Sequence, residues 1–165
     1  MQTHQPGVFR LAYLLLGDCD DAEDVAQETF IRAYRAIHTF DATREMRPWL
    51  LSIAANLARN KRRSVARFLS ALQRLVFAQP ELTQTPSTDN NAAANLRAQR
   101  LWQAVRRLPL TDQEIIYLRH FLEVGEAEAS EVLGIALGTV KSRTHRALSK
   151  LRILIEKDFP DLRER

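Results

Sequence analysis

One cysteine, five glycines and six prolines in 165 residues exclude several architectures at the outset. The single thiol, Cys19, rules out an internal disulfide framework and a thiolate zinc cluster, and it suits a reducing cytoplasm. β-Branched alternation is scarce while Ala, Leu, Arg, Glu and Gln dominate, so an all-α fold with no strand is expected. No apolar run is long enough to span a bilayer, and MQTHQPGVFRLAYLLLGD lacks the basic start and small-residue cleavage site of a signal peptide. His4, His38 and His120 have no zinc-ligand spacing, and Asp18 to Asp24 lacks the Gly and spaced Glu of a calcium loop. Neither a nucleophile elbow nor a Gly-rich phosphate loop is present. No enzyme active site, metal or cofactor is therefore expected.

What is present is charge in blocks. Asp18 to Glu28 holds six acids and no base, whereas Met46 to Pro80 holds seven bases and no acid. The net charge of +4 understates this separation. A basic block attracts phosphate through counterion release, and an acidic block repels DNA and suits a basic protein surface.

With 45% apolar residues the chain can form ordered cores in one domain or two. Val8 to Leu16 reads as a helix ended by Gly17, and Asp20 to His38 as a second whose first turn is acid-rich, as the helix dipole prefers. Val25, Ala26, Thr29, Ala33, Ala36 and Ile37 form its inward stripe, with Phe30 and Tyr34 beside it. Pro48 opens a third helix in which Trp49, Leu50, Ile53, Leu57 and Phe68 recur at helical spacing. ARFLSALQRLVF is compatible with a continuation of that helix or with a separate amphipathic one. QPELTQTPSTDNNAAAN has little to bury and reads as a flexible linker. The expected organisation is thus a three-helix domain over 1–77, a linker over 78–95 and a second helical domain over 96–165. In the latter, Thr111 to Glu114 reads as a capping box with Leu110 and Ile115 as its hydrophobic staple, opening a helix that runs to about Leu122.

The segment LGIALGTVKSRTHRALSKLR, residues 133–152, is the most informative in the chain. From Lys141 to Arg152 it carries five Lys/Arg and no acid. At 3.6 residues per turn Val140, Thr144, Leu148 and Leu151 share one side, and Lys141, Ser142, His145, Arg146 and Ser149 share the other. Glu126 to Leu133 forms a short helix before it, Gly134 ends that helix, and Gly138-Thr139 starts the next. A helix-turn-helix reader needs this pattern, because its second helix packs apolar residues on its own domain and presents donors to the major groove. By position Lys141, Ser142, His145 and Arg146 are candidates for base edges, and Thr139 and Arg143 for phosphate.

Taken together, DAEDVAQETFIRAYRAIHTFD, RPWLLSIAANLARNKRR and the Gly-Thr-Val-Lys-Ser-Arg helix resemble the small extracytoplasmic-function group of bacterial RNA polymerase sigma factors, in the right order and over nearly the whole chain. The resemblance implies a region 2-like domain and a region 4-like domain. It implies that Asp24, Gln27, Glu28, Phe30 and Arg32 dock on core RNA polymerase. Phe40, Asp41, Asn56, Lys61, Arg62 and Arg63 would hold the single-stranded −10 element, and the basic helix would read the −35 element as duplex DNA. Trp49 is expected in the core and Phe40 exposed at its turn. A sigma factor without its own sensor domain also implies an anti-sigma partner.

Departures from the family pattern accompany the resemblance. Its first helix usually has further turns before VFRLAYLLLGD, so the sequence reads as one started late or as one with a shortened first helix. Gly125, Glu126, Ala129 and Ser130 stand where a Ser cap, an aromatic and an Ile-Ala pair are common, and Ala136 stands where Pro is common. Such losses cost about 1 kcal/mol or more each, which predicts a weak or unusual −35 module. Two other readings accommodate the same residues: a dimeric helix-turn-helix regulator, and a sigma-like interaction module that binds polymerase or an anti-sigma protein and reads DNA poorly.

Overall fold

The computed structural model describes the backbone of residues 2–75 and 92–162, and the side chains of 3–68 and 96–162. Seven α-helices occur among them: α1 (Gln5–Leu16), α2 (Cys19–Ala36), α3 (Met46–Leu75), α4 (Ala92–Arg106), α5 (Leu110–Ile116), α6 (Glu126–Leu133) and α7 (Leu137–Asp158). No strand occurs among the described residues. The chain divides into two compact units, one containing α1, α2 and α3 and the other α4, α5 and α7 with most of α6. Most of the segment read as a linker lies outside the described residues, and its last four residues, from Ala92, already belong to α4.

In the first unit, Gly17 takes φ 80 and closes α1 by donating its N–H to the Tyr13 carbonyl, a left-handed turn that glycine adopts without steric cost. The Asp18 carboxylate then caps α2, accepting the Asp21 N–H at 2.9 Å. Helix α1 supplies the large core side chains Leu11, Leu14 and Leu15. Helix α2 buries mainly small residues, Ala22, Ala26 and Ala33 beside Val25, and α3 buries Ala54, Ala55 and Ala58 after Leu50 and Leu51. Thr29 is fully buried and its hydroxyl donates to the Val25 carbonyl, so the polar atom costs little.

Three apolar expectations here are corrected. Ile37 lies in a 3₁₀ turn after α2 rather than on its stripe, and is exposed. Phe68 is exposed because α3 is 30 residues long against 12 and 18 for its partners, so its final turns outrun them. Phe40 is half-buried rather than open, with its ring stacked on Trp49 at 4.6 Å between centroids. The ambiguity over 64–75 resolves as one continuous α3.

In the second unit, Ile115, Ile116, Tyr117 and Leu118 form the centre of the core with Val105, Val124, Val140 and Ala147. Phe159 closes its far end beneath the guanidinium groups of Arg100 and Arg107, which pair with Asp161 and Asp158. The expected capping box does not form. Pro109 takes the N-cap place and accepts the N–H groups of Asp112 and Gln113, so α5 starts at Leu110 and the Thr111 hydroxyl faces outward. The Gln113 amide instead donates to the carbonyls of Arg106 and Leu108 that end α4. Helix α5 then widens into a π turn over Tyr117–Phe121, closed by Leu122 N–H to Tyr117 O at 3.0 Å.

Candidate functional site

The geometry around α7 determines what its charges can meet. Gly134, at φ 64, ends α6 and lets Ile135 N–H reach Ser130 O, so the chain turns into α7 at once. Helix α7 begins at Leu137 with Ala136 as N-cap, one to two residues before the expected Gly138-Thr139 start. Val140, Ala147 and Leu151 are buried, while Leu148, expected inward, is exposed; Ala147 takes that place because the helical phase puts it between Val140 and Leu151.

On the opposite side Lys141, Ser142, His145 and Arg146 are exposed, and Thr139 and Arg143 are half-buried at its edges. The hydroxyls of Ser142 and Ser149 fold back on helix carbonyls, and the Arg146 Nε donates to the Ser142 carbonyl at 3.3 Å. Asp112, buried on α5, accepts from the Lys150 ammonium at 2.7 Å and ties the second half of α7 to the core. Lys150 is thereby engaged by its own unit.

A second cationic region lies along α3. Asn56 and Arg63 are exposed, and the Asn56 carbonyl oxygen accepts from Arg59 at 2.8 Å. Arg62 donates to the Leu15 carbonyl at 3.2 Å and stays against α1. Lys61 bridges to α2, with its ammonium 2.7 Å from Asp21 and 3.1 Å from Asp24. Partial burial works to lower the Lys61 pKa, yet its hydrogen bonds to Asp21 and Asp24 outweigh that and hold it above the ordinary lysine range. The stabilisation is therefore complete below the unfolded lysine pKa of about 10.4 and is lost as pH rises through the higher folded value. Lys61→Met is expected to lower the melting temperature of this unit by a few degrees at neutral pH, for a loss of about 1 kcal/mol or less. The difference from the parent should vanish in strongly alkaline buffer; a difference unchanged by pH would show that packing of the lysine stem, not its charge, was lost.

Ahead of α3, Asp41 accepts from both the N–H and the hydroxyl of Thr43, at 3.0 and 2.7 Å. These two bonds, hydroxyl first, hold its carboxyl below the usual carboxylate range. The turn is thus tied by Asp41 on one side and by the Phe40–Trp49 stack on the other.

On α2, Asp24 and Gln27 are exposed, Glu28 is half-buried and pairs with Arg32 at 2.7 Å, and Phe30 is half-buried. Ile31 and Tyr34, 44% and 73% exposed, continue the face of Asp24 and Gln27 at spacings of four and three, and sequence reasoning passed over them. The signal was their failure to fit the inward stripe. Also missed was Glu126, whose carboxylate lies 3.7 Å from the Lys141 ammonium and 4.0 Å from the Arg119 guanidinium. Nothing in the local pattern links residues so far apart in the chain. No group of His, Cys, Asp and Glu capable of holding a metal occurs among the described residues, and no helix there is long and apolar enough to cross a membrane.

Comparison with known proteins agrees with this arrangement. Residues 1–68 match the Sigma-70 region 2 family and residues 98–151 the Sigma-70 region 4 family. The RNA polymerase sigma factor NccH of Alcaligenes xylosoxydans xylosoxydans is 36% identical over 139 residues, covering 82% of this chain and 74% of its own. The ECF RNA polymerase sigma factor SigW of Bacillus subtilis is 32% identical over 158 residues, covering 92% and 84%. Among solved structures, CnrH in complex with the cytosolic domain of CnrY superimposes with a TM-score of 0.71 at 26% identity, over 95% of this chain and 85% of that one; CnrH is a sigma factor of Cupriavidus metallidurans. An acid-rich helix, a basic helix behind it and a helix-turn-helix with an unbroken basic face are what such a protein needs, and the chain belongs to the extracytoplasmic-function sigma factors of the sigma-70 family, binding RNA polymerase and directing promoter-specific initiation of transcription.

Proposed function

We propose a division of that activity among three surfaces. The face of α2 carrying Asp24, Gln27, Glu28, Phe30 and Arg32, extended by Ile31 and Tyr34, docks on core polymerase: it is acidic with an exposed apolar strip, which suits a basic, partly apolar protein surface. The Phe40–Asp41 turn and the α3 side bearing Asn56 and Arg63 hold the single-stranded −10 element. Lys61 and Arg62 serve there as cations fixed in place by Asp21, Asp24 and the Leu15 carbonyl. The face of α7 reads the −35 duplex through Lys141, Ser142, His145 and Arg146 on bases and Thr139 and Arg143 on phosphate.

The observation that carries this reading is α7 itself, buried along Val140, Ala147 and Leu151 and, on the other side, basic with no acid from Lys141 to Arg152. The protein works in the cytoplasm, uses no cofactor and does no chemistry itself. The two domains are a first over 1–77 and a second that begins with α4 at Ala92, with the segment between them serving as the linker. A protein partner of the kind CnrY represents for CnrH holds it silent until a signal arrives.

The test is transcription by core polymerase with and without this protein on a pool of genomic promoter fragments, with the RNA 5′ ends sequenced. Discrete new starts sharing two spaced upstream elements are expected. Polymerase binding without any new start would overturn the reading in favour of an interaction module. Arg146→Ala is then expected to weaken −35 dependence by about 1–3 kcal/mol, since a bidentate arginine contact to guanine has that magnitude, while polymerase binding stays intact. Equal loss of both would show that the substitution acts on folding.

A further inference from the structure

The first helix of the helix-turn-helix opens with an acid, and the structure gives that acid a partner on the next helix. Glu126 is the first residue of α6, and its carboxylate faces the Lys141 ammonium at 3.7 Å and the Arg119 guanidinium at 4.0 Å. Arg119 comes from the π turn and also donates to the Val124 carbonyl, so it is held at the base of the trio while Lys141 is its exposed end. In a helix-turn-helix the first helix crosses the DNA backbone and the second enters the groove beside it. An anion at the start of α6 that touches a cation on α7 therefore stands where phosphate arrives.

We propose that Glu126 is a positioning residue of the −35 reader: it holds Lys141 in an internal ion pair that must open before Lys141 can reach DNA. This rests on the −35 reading of α7. Two physical effects work in the same direction. Opening the pair takes Lys141 from a partner already in place, and the carboxylate left behind repels the incoming phosphates. Because Lys141 and Glu126 are both solvent-accessible, water and salt screen these effects, which sets their size at a few-fold in affinity rather than orders of magnitude. The consequence is a chain that leans on its −10 contacts and accepts −35 variation at the position Lys141 meets.

The experiment uses the full-length chain reconstituted with core polymerase, on a promoter located by 5′-end mapping and on a matched one with a scrambled −35 element. Glu126→Gln keeps the side-chain shape and removes the charge; Glu126→Ser provides a second neutral variant, and thermal unfolding checks that both fold. The expected result is a rise in the intact-to-scrambled initiation ratio of about threefold to tenfold. The logarithmic salt dependence of promoter binding should steepen, because Glu126 no longer offsets a cation at the DNA surface. In Glu126→Gln combined with Lys141→Ala the gain should disappear, which a merely structural role of Glu126 would not produce. An unchanged ratio in both neutral variants, or a gain that survives Lys141→Ala, overturns the proposal while leaving the −35 reading in place. If the unmodified holoenzyme uses both promoters equally and Arg146→Ala changes nothing, the −35 reading itself falls and the proposal with it.

Discussion

Replacing Tyr117 with alanine is expected to unfold the second unit at growth temperature and abolish −35 dependence, while α1 to α3 remain folded and bind polymerase. Tyr117 is the largest fully buried side chain among the described residues, and its ring meets Phe121 edge-on at 5.4 Å. It sits where α5 passes into the π turn, at the centre of the second unit's core. Truncating a buried aromatic costs about 3–5 kcal/mol. A folded unit of this size has about 0.05–0.15 kcal/mol of stability per residue, so the loss is a large part of its total. For a domain of 60–100 residues it corresponds to a fall of about 12 °C or more in melting temperature. Circular dichroism should show part of the helical signal melting early and the remainder unmoved, because the two units have separate cores. Tyr117→Phe, which keeps the ring, should cost far less. A melting profile that shifts by only a few degrees in Tyr117→Ala would show that neighbouring side chains collapse into the space, and that the π turn does not depend on the ring.

The π turn also marks where sequence reading stops. Local rules located the ends of α1 and α6 because the residues that set them act within one turn: Gly17 and Gly134 adopt positive φ. They placed the exposed basic face of α7 because a 3.6-residue period puts Lys141, Ser142, His145 and Arg146 opposite the buried Val140 and Leu151. They failed where a second element decided the outcome. Thr111 and Glu114 satisfy the pattern of a capping box, but Pro109 accepted the free N–H groups first and drew Asp112, Gln113 and Glu114 into the interior. Phe68 keeps the period of Leu50 and Leu57, yet among the described side chains of α3 none beyond Ala58 is buried. The pairing of Lys61 with Asp21 and Asp24 has no local signal either, because the acids come from α2. Each of these depends on which helix lies opposite, and that information is not local.

Trp49→Ala, finally, is expected to reduce initiation more than tenfold while lowering the melting temperature of the first unit by only several degrees. The tryptophan is half-buried near the start of α3, where helical spacing puts it at the edge of the core and Phe40 covers its exposed side. Stacking of this kind contributes about 0.5–1.5 kcal/mol beyond the apolar area it covers. What it holds matters more than what it contributes. Within the turn from Phe40 to Glu45 the backbone is held by short-range bonds, Phe40 N–H to Ile37 O, Arg44 N–H to Asp41 O and the pair from Thr43 to Asp41. With the ring gone the segment must be ordered anew each time it meets the −10 strand, at about 1 kcal/mol or more per residue of backbone entropy. A few residues suffice for a tenfold loss. Trp49→Phe should retain most activity by keeping a ring under Phe40, and Phe40→Ala should lose −10 recognition with little change in melting temperature. Unimpaired initiation by Trp49→Ala at a temperature where the unit is folded would remove the Phe40–Asp41 turn from the DNA-holding surface and leave Trp49 as an ordinary core side chain.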